Sequence, residues 1–236
     1  MKRIYRLLPR YAVYARSKRL WLLDNRNWVD QQLIIRKPYE VAQIEKCRKL
    51  VEQYRITRFL DIGANFGLYS VLLSDCPSIE AIDAFEPLPR NVNQLAANLY
   101  LNGLDAKVSV HAFALGESDA RAELFVDTHS TGVSTINPEA VAREKSAYEA
   151  RVEVQVRALD TLFDIRGEAV LVKNDVEAAE LEVLAGMRQF LSANRVWLQI
   201  ETTEETKQKV DEYMQQLDYS SFGRVGADSY YGRRSA

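Results

Sequence analysis

An α/β fold, with a doubly wound and mostly parallel sheet of about seven strands, is what this 236-residue sequence predicts, and three observations predict it. From about residue 55 onward, short apolar runs alternate with segments of helical spacing, the mark of right-handed βαβ units with helices on both faces of a sheet. The composition, 47% hydrophobic and 27% charged with only 10 Gly and 6 Pro, suits one generous α/β domain with an added arm better than two domains. The stretch "FLDIGANFGLYSVLLSD" (59–75) turns from buried strand to helix through two glycines and an Asn, at the kind of junction where such sheets hold ligands.

The elements follow in order. Residues 1–37 carry ten Lys/Arg against Asp24 and Asp30, interleaved with Tyr5, Leu7, Tyr11, Val13, Trp21 and other apolar residues. No run there reaches the roughly 18 apolar residues of a membrane span, and Arg10 and Arg16 interrupt any signal-peptide core. This N-terminal arm is read as helical. Two readings of it stand: an extension covering the sheet or pairing with a second subunit, and an interfacial segment touching anionic lipid or an acidic partner. With 39–54, which has helical spacing, it makes up a basic segment 1–54 packed on a main domain 55–236. Then come a strand at "TRFLDIG", a helix at "GLYSVLLSD", a strand at "IEAIDAFEP", a helix over 88–103 ending at Gly103, and a third strand at "KVSVHAFAL". Regularity breaks over 116–158, where "RAELFV" and "RVEVQV" alternate strictly as hairpin strands around a polar, turn-rich loop, 127–150, expected to face the substrate. The rhythm resumes with "AVLVKNDV", a helix over 177–191, "RVWLQIET", a helix over 204–218 and a closing irregular hairpin.

The net charge of −2 argues against a polyanion partner, and no nucleic acid is expected. Two cysteines, Cys47 and Cys76, form no disulfide framework and no zinc spacing, which fits a reducing, cytoplasmic setting, peripheral at a membrane's inner face if the arm binds lipid.

The glycine turn excludes two ligand classes. A dinucleotide turn requires G-x-G-x-x-G, and positions 63, 65 and 68 are Gly, Asn and Leu. "NFGLYS" lacks the Lys of a phosphate loop. What remains is Asp61-x-Gly63-x-Asn65-x-Gly67, in which the acid would repel a phosphate. Glu86 ends the second strand, where a carboxylate can accept hydrogen bonds from both hydroxyls of a ribose. Together they specify a nucleoside without phosphate beside the turn, and S-adenosylmethionine, adenosine on a sulfonium with an amino-acid tail, fits. Each residue also has a plain structural reading: Gly63 and Gly67 as a tight turn, Asn65 capping a helix from Phe66, Asp61 and Glu86 as strand-end acids.

Four segments, "FLDIGANFGLYSVLLS", "AFEPLPRNVNQLAANLYLN", "FALGESDARAELFV" and above all "LVKNDVEAAELEVLAGM", resemble the FkbM family of S-adenosylmethionine-dependent methyltransferases over roughly 58–201. The resemblance implies a Rossmann-like fold and O-methylation of hydroxyls on saccharides or other small metabolites, without fixing the acceptor. The sequence departs from the family pattern at Asn174, where Ile is usual, and Ala178, where Gly is usual. Ala178 is read as adding a Cβ at a helix start, which a helix tolerates. Asn174 is read as an amide facing the pocket. The family's His after the last strand's acid is absent, since Glu201 is followed by Thr202 and Thr203.

Lys173, Asp175, Glu177 and Glu180 cluster where the fourth parallel strand ends, close to the expected methyl group. Asp175 is the candidate base or substrate-orienting group, with Glu177 supporting it and Lys173 paired to one of these acids. Glu180 is read as a helix N-terminal acid. For the cofactor, Asp61 and Gly63 are assigned to the methionine portion, Asn65 and Gly67 to the turn, Glu86 to the ribose, and Ala114 and Leu115 to the adenine. His129, Asn174 and Glu201 are the candidate substrate contacts, and His111 is read as structural. Oxygen ligands for a divalent cation are present but form no closed set. The rivals are a nicotinamide-dependent oxidoreductase, a nucleic-acid methyltransferase, which lacks its N/D-P-P-Y/F motif here, and a non-catalytic nucleoside-binding module docked through the arm.

Overall fold

The computed structural model describes residues 9–143 and 148–233. The first two strands, β1 (Tyr11–Arg16) and β2 (Arg19–Asp24), form an antiparallel hairpin, followed by α1 (Trp28–Ile34) and α2 (Val41–Tyr54). The expected helical arm is therefore a hairpin over 11–24. Its turn residues, Ser17 and Lys18, both sit at positive φ (48° and 60°), the conformation that matches the twist of a two-residue hairpin.

The hairpin docks through one device. Gln94, Asn98 and Asn102, spaced four apart on α4 (Pro89–Leu101) and its C-cap, act as a third strand for β2. The Leu22 N–H donates to Asn98 Oδ1 at 2.6 Å, and Gln94 Nε2 donates to the Leu22 carbonyl at 3.0 Å. Leu20 exchanges both of its backbone bonds with the Asn102 amide at 3.1 and 2.7 Å. The strand edge is thus capped by side chains, and Trp21 and Leu23 point into the core, fully buried.

The central sheet is built from β3 (Arg58–Ile62), β4 (Ala81–Phe85), β5 (Val108–His111), β9 (Ala169–Asn174), β10 (Arg195–Glu201), β11 (Tyr219–Val225) and β12 (Asp228–Arg233), in the order β11-β12-β10-β9-β3-β4-β5. Five strands are parallel, and the closing hairpin adds two antiparallel ones against β10. From β3 the chain builds outward to β4 and β5, then returns to lay β9 and β10 on the other side. The switch point lies between β3 and β9, and in open α/β sheets the ligand crevice lies outside the carboxyl ends there. Alternate residues feed two cores. Phe59, Leu171 and Trp197 pack with α2, α3 (Leu68–Leu73), α4 and the hairpin. Leu60, Val172 and Leu198 pack on the opposite face with α7 (Glu180–Ala185), α8 (Arg188–Ala193) and α9 (Glu204–Gln216).

The insertion folds as a separate three-stranded sheet of β6 (Ala114–Leu115), β7 (Ala120–Val126) and β8 (Ala150–Arg157), joined by α5 (Pro138–Arg143) and followed by α6 (Leu159–Leu162). Two expected elements divide. The strand expected over 107–115 breaks at Ala112 and Phe113, so that β5 stays in the main sheet while β6 pairs with β8. The helix expected over 177–191 becomes α7 and α8, parted at Gly186, whose missing Cβ would stand 1.9 Å from the Gly116 carbonyl oxygen.

Candidate active site

The carboxyl ends of β3, β4, β9 and β10 open into a cavity of about 360 Å³. Its floor is the turn after β3. Its roof is the loop 130–136 of the insertion, and one wall comes from Trp28, Val29, Tyr39 and Glu40. Roof and wall are tied together: the Trp28 N–H donates to the His129 carbonyl at 2.8 Å, and Asn27 Nδ2 donates to Thr131 Oγ1 at 2.8 Å. The roof is also tied to the far side of the crevice. Thr135 Oγ1 donates to the Glu177 carbonyl at 2.5 Å and Asn137 Nδ2 to the Ala178 carbonyl at 2.7 Å.

The turn keeps its own N–H groups occupied. Those of Gly63 and Ala64 both donate to the Phe85 carbonyl at 3.0 Å, that of Asn65 to Glu86 Oε2 at 2.9 Å, and that of Gly67 to the Ala64 carbonyl at 2.8 Å. No cradle of free donors remains at these four positions for a phosphate. The glycines answer to the protein itself. A Cβ on Gly63 would stand 1.8 Å from the Asp175 carbonyl oxygen, so the residue lets β3 and β9 close on each other. A Cβ on Gly67, at φ +91°, would stand 2.4 Å from Leu95 Cδ1, and the residue lies outside the cavity wall. Asn65 lines the cavity at φ +51° but does not cap the helix, which begins at Leu68 after Gly67.

Glu86 is buried at the end of β4 and lines the cavity. Its carboxylate accepts the Asn65 and Leu88 N–H groups at 2.9 and 2.8 Å, and the Asn91 side chain adds a third bond. Burial pushes its pKa up to about 7, against the pull of these donors. With three of about four lone-pair sites engaged, Glu86 has room for one hydroxyl rather than the two expected of it. Ala114 and Leu115 lie beside it in the wall with Phe85 and Phe113, an apolar slot.

The reacting end gathers Lys173, Asp175 and Glu201. Lys173 Nζ donates to Asp175 Oδ2 at 2.8 Å and sits 5.0 Å from the Tyr69 ring centroid. Burial alone would depress the Lys173 pKa, but the negative charges of Asp175 and Asp61 outweigh it and hold the amine protonated. Asp175 is also hydrogen-bonded to Glu201 across the ends of β9 and β10. Burial works to raise the Asp175 pKa, yet the Lys173 charge and the bond from Glu201 bring it below its ordinary value. The Asp175 charge, then burial, push Glu201 up to about 10. At neutral pH the pair therefore holds one proton, on Glu201, which donates to an ionised Asp175.

Other candidates sit elsewhere. Asp61 lies beneath the turn, outside the cavity wall, with Oδ2 accepting from the Ser70 N–H and Oγ at 3.0 and 2.6 Å. Asn174 is wholly buried away from the cavity, its amide donating to the Glu180 carbonyl at 3.2 Å, so it pins α7 rather than facing the pocket. His129 is exposed on the roof's outer side, 3.6 Å from Glu149, and does not line the cavity. Glu177 does line it. Glu180 accepts the Ala178 N–H at 3.0 Å in the first turn of α7. His111 stacks on Phe85 and bonds Asp83, a packing role. The roof lies within the loop 127–150 that was expected to face the substrate, whereas Tyr39, Glu40 and Phe113 escaped the sequence reading. Nothing local in 28–40 marks a ligand site, since that segment reaches the cavity only through long-range packing. Among the described residues no group of three or more His, Cys, Asp and Glu side chains is placed to hold a metal ion.

Ala178 also differs from the sequence expectation. It precedes α7 and occupies the left-handed region at φ +73°, directly after Glu177 at φ +56°. A residue with a Cβ pays about 1–2 kcal/mol there, partly offset by glycine's larger entropy loss on folding. Ala178→Gly is expected to stabilise the protein by about 0.5–1 kcal/mol, read as a rise of about 1–4 °C in the thermal midpoint.

Comparison with known proteins agrees with this geometry. The chain is 26% identical over 178 residues to Methyltransferase 1 of Beauveria bassiana (strain ARSEF 2860), covering 68% of this chain and 66% of that protein. It is 30% identical over 153 residues to Methyltransferase sdnD of Sordaria araneosa, covering 54% and 59%. The chain thus spans under two thirds of the length of these curated relatives. The crystal structure of Methyltransferase FkbM from Methylobacillus flagellatus KT superposes with a TM-score of 0.55 at 19% identity, covering 75% of this chain and 44% of that one. M. jannaschii TYW2, solved in complex with AdoMet, gives 0.50 at 12% identity over 96% and 88%. These structures share the Rossmann-like α/β fold. Residues 61–221 match the methyltransferase FkbM domain, and this chain belongs to that family.

Proposed function

We propose that the protein is an S-adenosylmethionine-dependent methyltransferase acting on the hydroxyl of a saccharide or another small metabolite. One observation carries the reading: besides the protonated Glu201 the cavity wall holds four acids, Glu40, Glu86, Asp175 and Glu177, and one base, Lys173, around a turn whose Gly63, Ala64, Asn65 and Gly67 amides are already occupied. Such a site repels phosphates and suits a cationic nucleoside. Its volume falls within the roughly 300–1,000 Å³ of small-ligand sites. Glu86 would hold a ribose hydroxyl, the slot of Phe113, Ala114 and Leu115 the base, and the acids near Gly63 the charged methionine end. The same donor set gives no support to a dinucleotide, whose pyrophosphate needs free turn amides.

When bound, the sulfonium cofactor supplies an activated methyl group for in-line displacement. The protein's part is orientation and proton handling. Asp175, ionised and fixed by Lys173 and Glu201, accepts the hydrogen bond of an acceptor hydroxyl and aims its oxygen. A low-pKa carboxylate is a weak base, but an oxygen gaining a methyl group becomes a far stronger acid than any carboxylic acid, so Asp175 can take its proton late in the step. The hydroxyl proton would pass to Asp175 as the acceptor oxygen gains its methyl group, and the roof would exclude water.

Isothermal titration with S-adenosylhomocysteine tests the cofactor assignment. Saturable one-site binding is expected, with affinity about tenfold lower in Glu86→Ala, the loss of one hydrogen bond to a charged group. Binding of NAD in place of S-adenosylhomocysteine would overturn it. Incubation with labelled methyl donor and fractionated metabolites then identifies the acceptor.

A further inference from the structure

A second cavity, about 620 Å³, opens beside the first between the hairpin turn, the end of α1, α2 and α3. The two share Tyr39 and Leu68 as a common wall. Its lining includes Trp21, Leu33, Val41, Ile44 and Leu72, and Val41 is left 53% exposed at the rim. Four cations, Arg16, Arg36, Lys37 and Arg48, stand around these apolar walls against one acid, Glu45.

The cations are not neutralised in the way others on this protein are. Arg10, Arg58 and Arg90 each pair with a carboxylate. Arg16 instead donates to the carbonyls of Leu33, Ile34 and Ala15, and Arg48 donates to the Leu72 carbonyl. Both guanidiniums are thus held in place by neutral oxygens, and neither has an ion pair among the described residues. Arg36 and Lys37 are exposed at the mouth. An apolar trough ringed by two held and two exposed cations is complementary to a ligand that is apolar along its body and anionic at one end. The chain's own first residues fit it poorly, since Lys2, Arg3 and Arg6 would meet like charge.

We infer that this groove binds the anionic, apolar portion of the methyl acceptor, an amphiphile bearing a phosphate or carboxylate, whose hydroxyl reaches the catalytic cavity past Tyr39 and Leu68. The substrate class rests on the methyltransferase reading, whereas the groove's ligand chemistry does not. The sequence reading left the basic segment either covering the sheet or pairing with a second subunit, or touching anionic lipid or an acidic partner, while the geometry gathers part of its charge around a groove sized for one molecule.

Dodecyl phosphate below its micelle concentration, inorganic phosphate, and phosphatidylglycerol vesicles are the three probes, each tested on the wild type and on the double variant Arg36→Glu/Lys37→Glu. The inference expects saturable one-site binding of dodecyl phosphate, weakened about tenfold or more in the variant through loss of charge-assisted contacts. It expects inorganic phosphate to bind at least about tenfold more weakly than the alkyl ester, because the apolar walls then go unused. S-adenosylhomocysteine affinity should be unchanged in the variant, which also reports on its folding. Equal binding of dodecyl phosphate by both proteins, equal affinity for bare phosphate, or association with vesicles only would each overturn it. Loss of S-adenosylhomocysteine binding by the wild type with dodecyl phosphate binding intact would sink the cofactor assignment and leave the groove's ligand chemistry standing.

Discussion

Asp175→Asn is expected to lower turnover on the acceptor by about 10²–10⁴ while leaving S-adenosylhomocysteine affinity within a few-fold of the wild type. The asparagine is isosteric and keeps a carbonyl oxygen for Lys173, so the strand ends need not move. What changes is where the charge resides. Glu201 is held protonated first of all by the Asp175 charge, and burial comes second. Once position 175 is neutral, the pKa of Glu201 falls toward the carboxylate range, and it ionises to balance Lys173. The net charge of the cluster at neutral pH is then conserved, which is why the fold should survive, but the carboxylate has shifted from the end of β9 to the end of β10. The loss of one protonated-carboxyl infrared band in the difference spectrum of variant and wild type at pH 7, over the background of Glu86 and Glu180, would report that transfer directly. An unchanged turnover would remove Asp175 from the reaction, and an unchanged band would refute the shared proton.

Lys173→Met is expected to be the most destabilising single change at the site, by about 3–5 kcal/mol, because it deletes one partner of a buried ion cluster and leaves the others. Lys173 is 5% exposed and lies among Asp61, Asp175 and Glu201. Methionine fills a similar volume, so the loss is electrostatic rather than a cavity. Its pH dependence distinguishes the two. Without the ammonium, the folded-state pKa of Asp175 rises above its unfolded value and that of Asp61, already raised by burial, rises further, so more stability is lost as pH rises through the gap between the unfolded and folded values. The deficit relative to the wild type should shrink toward pH 4, where both acids protonate in the variant, and be full at pH 7. A drop of about 10 °C or more in the thermal midpoint at pH 7 is the expected size. A deficit independent of pH would assign the residue to packing alone.

The order of the parallel strands and their helices was legible in the sequence because burial on both faces writes strands as continuous apolar runs, as in "FLDI" and "AVLV". The Lys173–Asp175 pair was legible too, since two residues apart on a strand end they face the same way. The hairpin over 11–24 was not. Its turn is Ser17-Lys18, not the Asn-Gly or Asp-Gly that marks a type I′ turn, and "YAVYAR" is apolar from Tyr11 to Ala15 without alternation, with Tyr11, Val13 and Ala15 on its exposed face. Ala178 was misjudged for a different reason: a left-handed backbone at a non-glycine position leaves no trace in the residue type, and the family's usual Gly there was the only hint. Asn174 looked like a pocket residue because an amide in an apolar strand invites that reading, but the parity of β9 turns it toward α7.

The ties from Trp28 and Asn27 to the roof, and the pairing of β12 with β10, bear on where this molecule can be cut. The homologous span, 61–221, stops short of both. A chain trimmed to it would keep the glycine turn with Lys173, Asp175 and Glu201, yet forfeit residues 58–60 of β3, the segment tied to the cavity's roof and the strand flanking Glu201. The span that marks the family in this chain is thus smaller than the unit that builds the cavity.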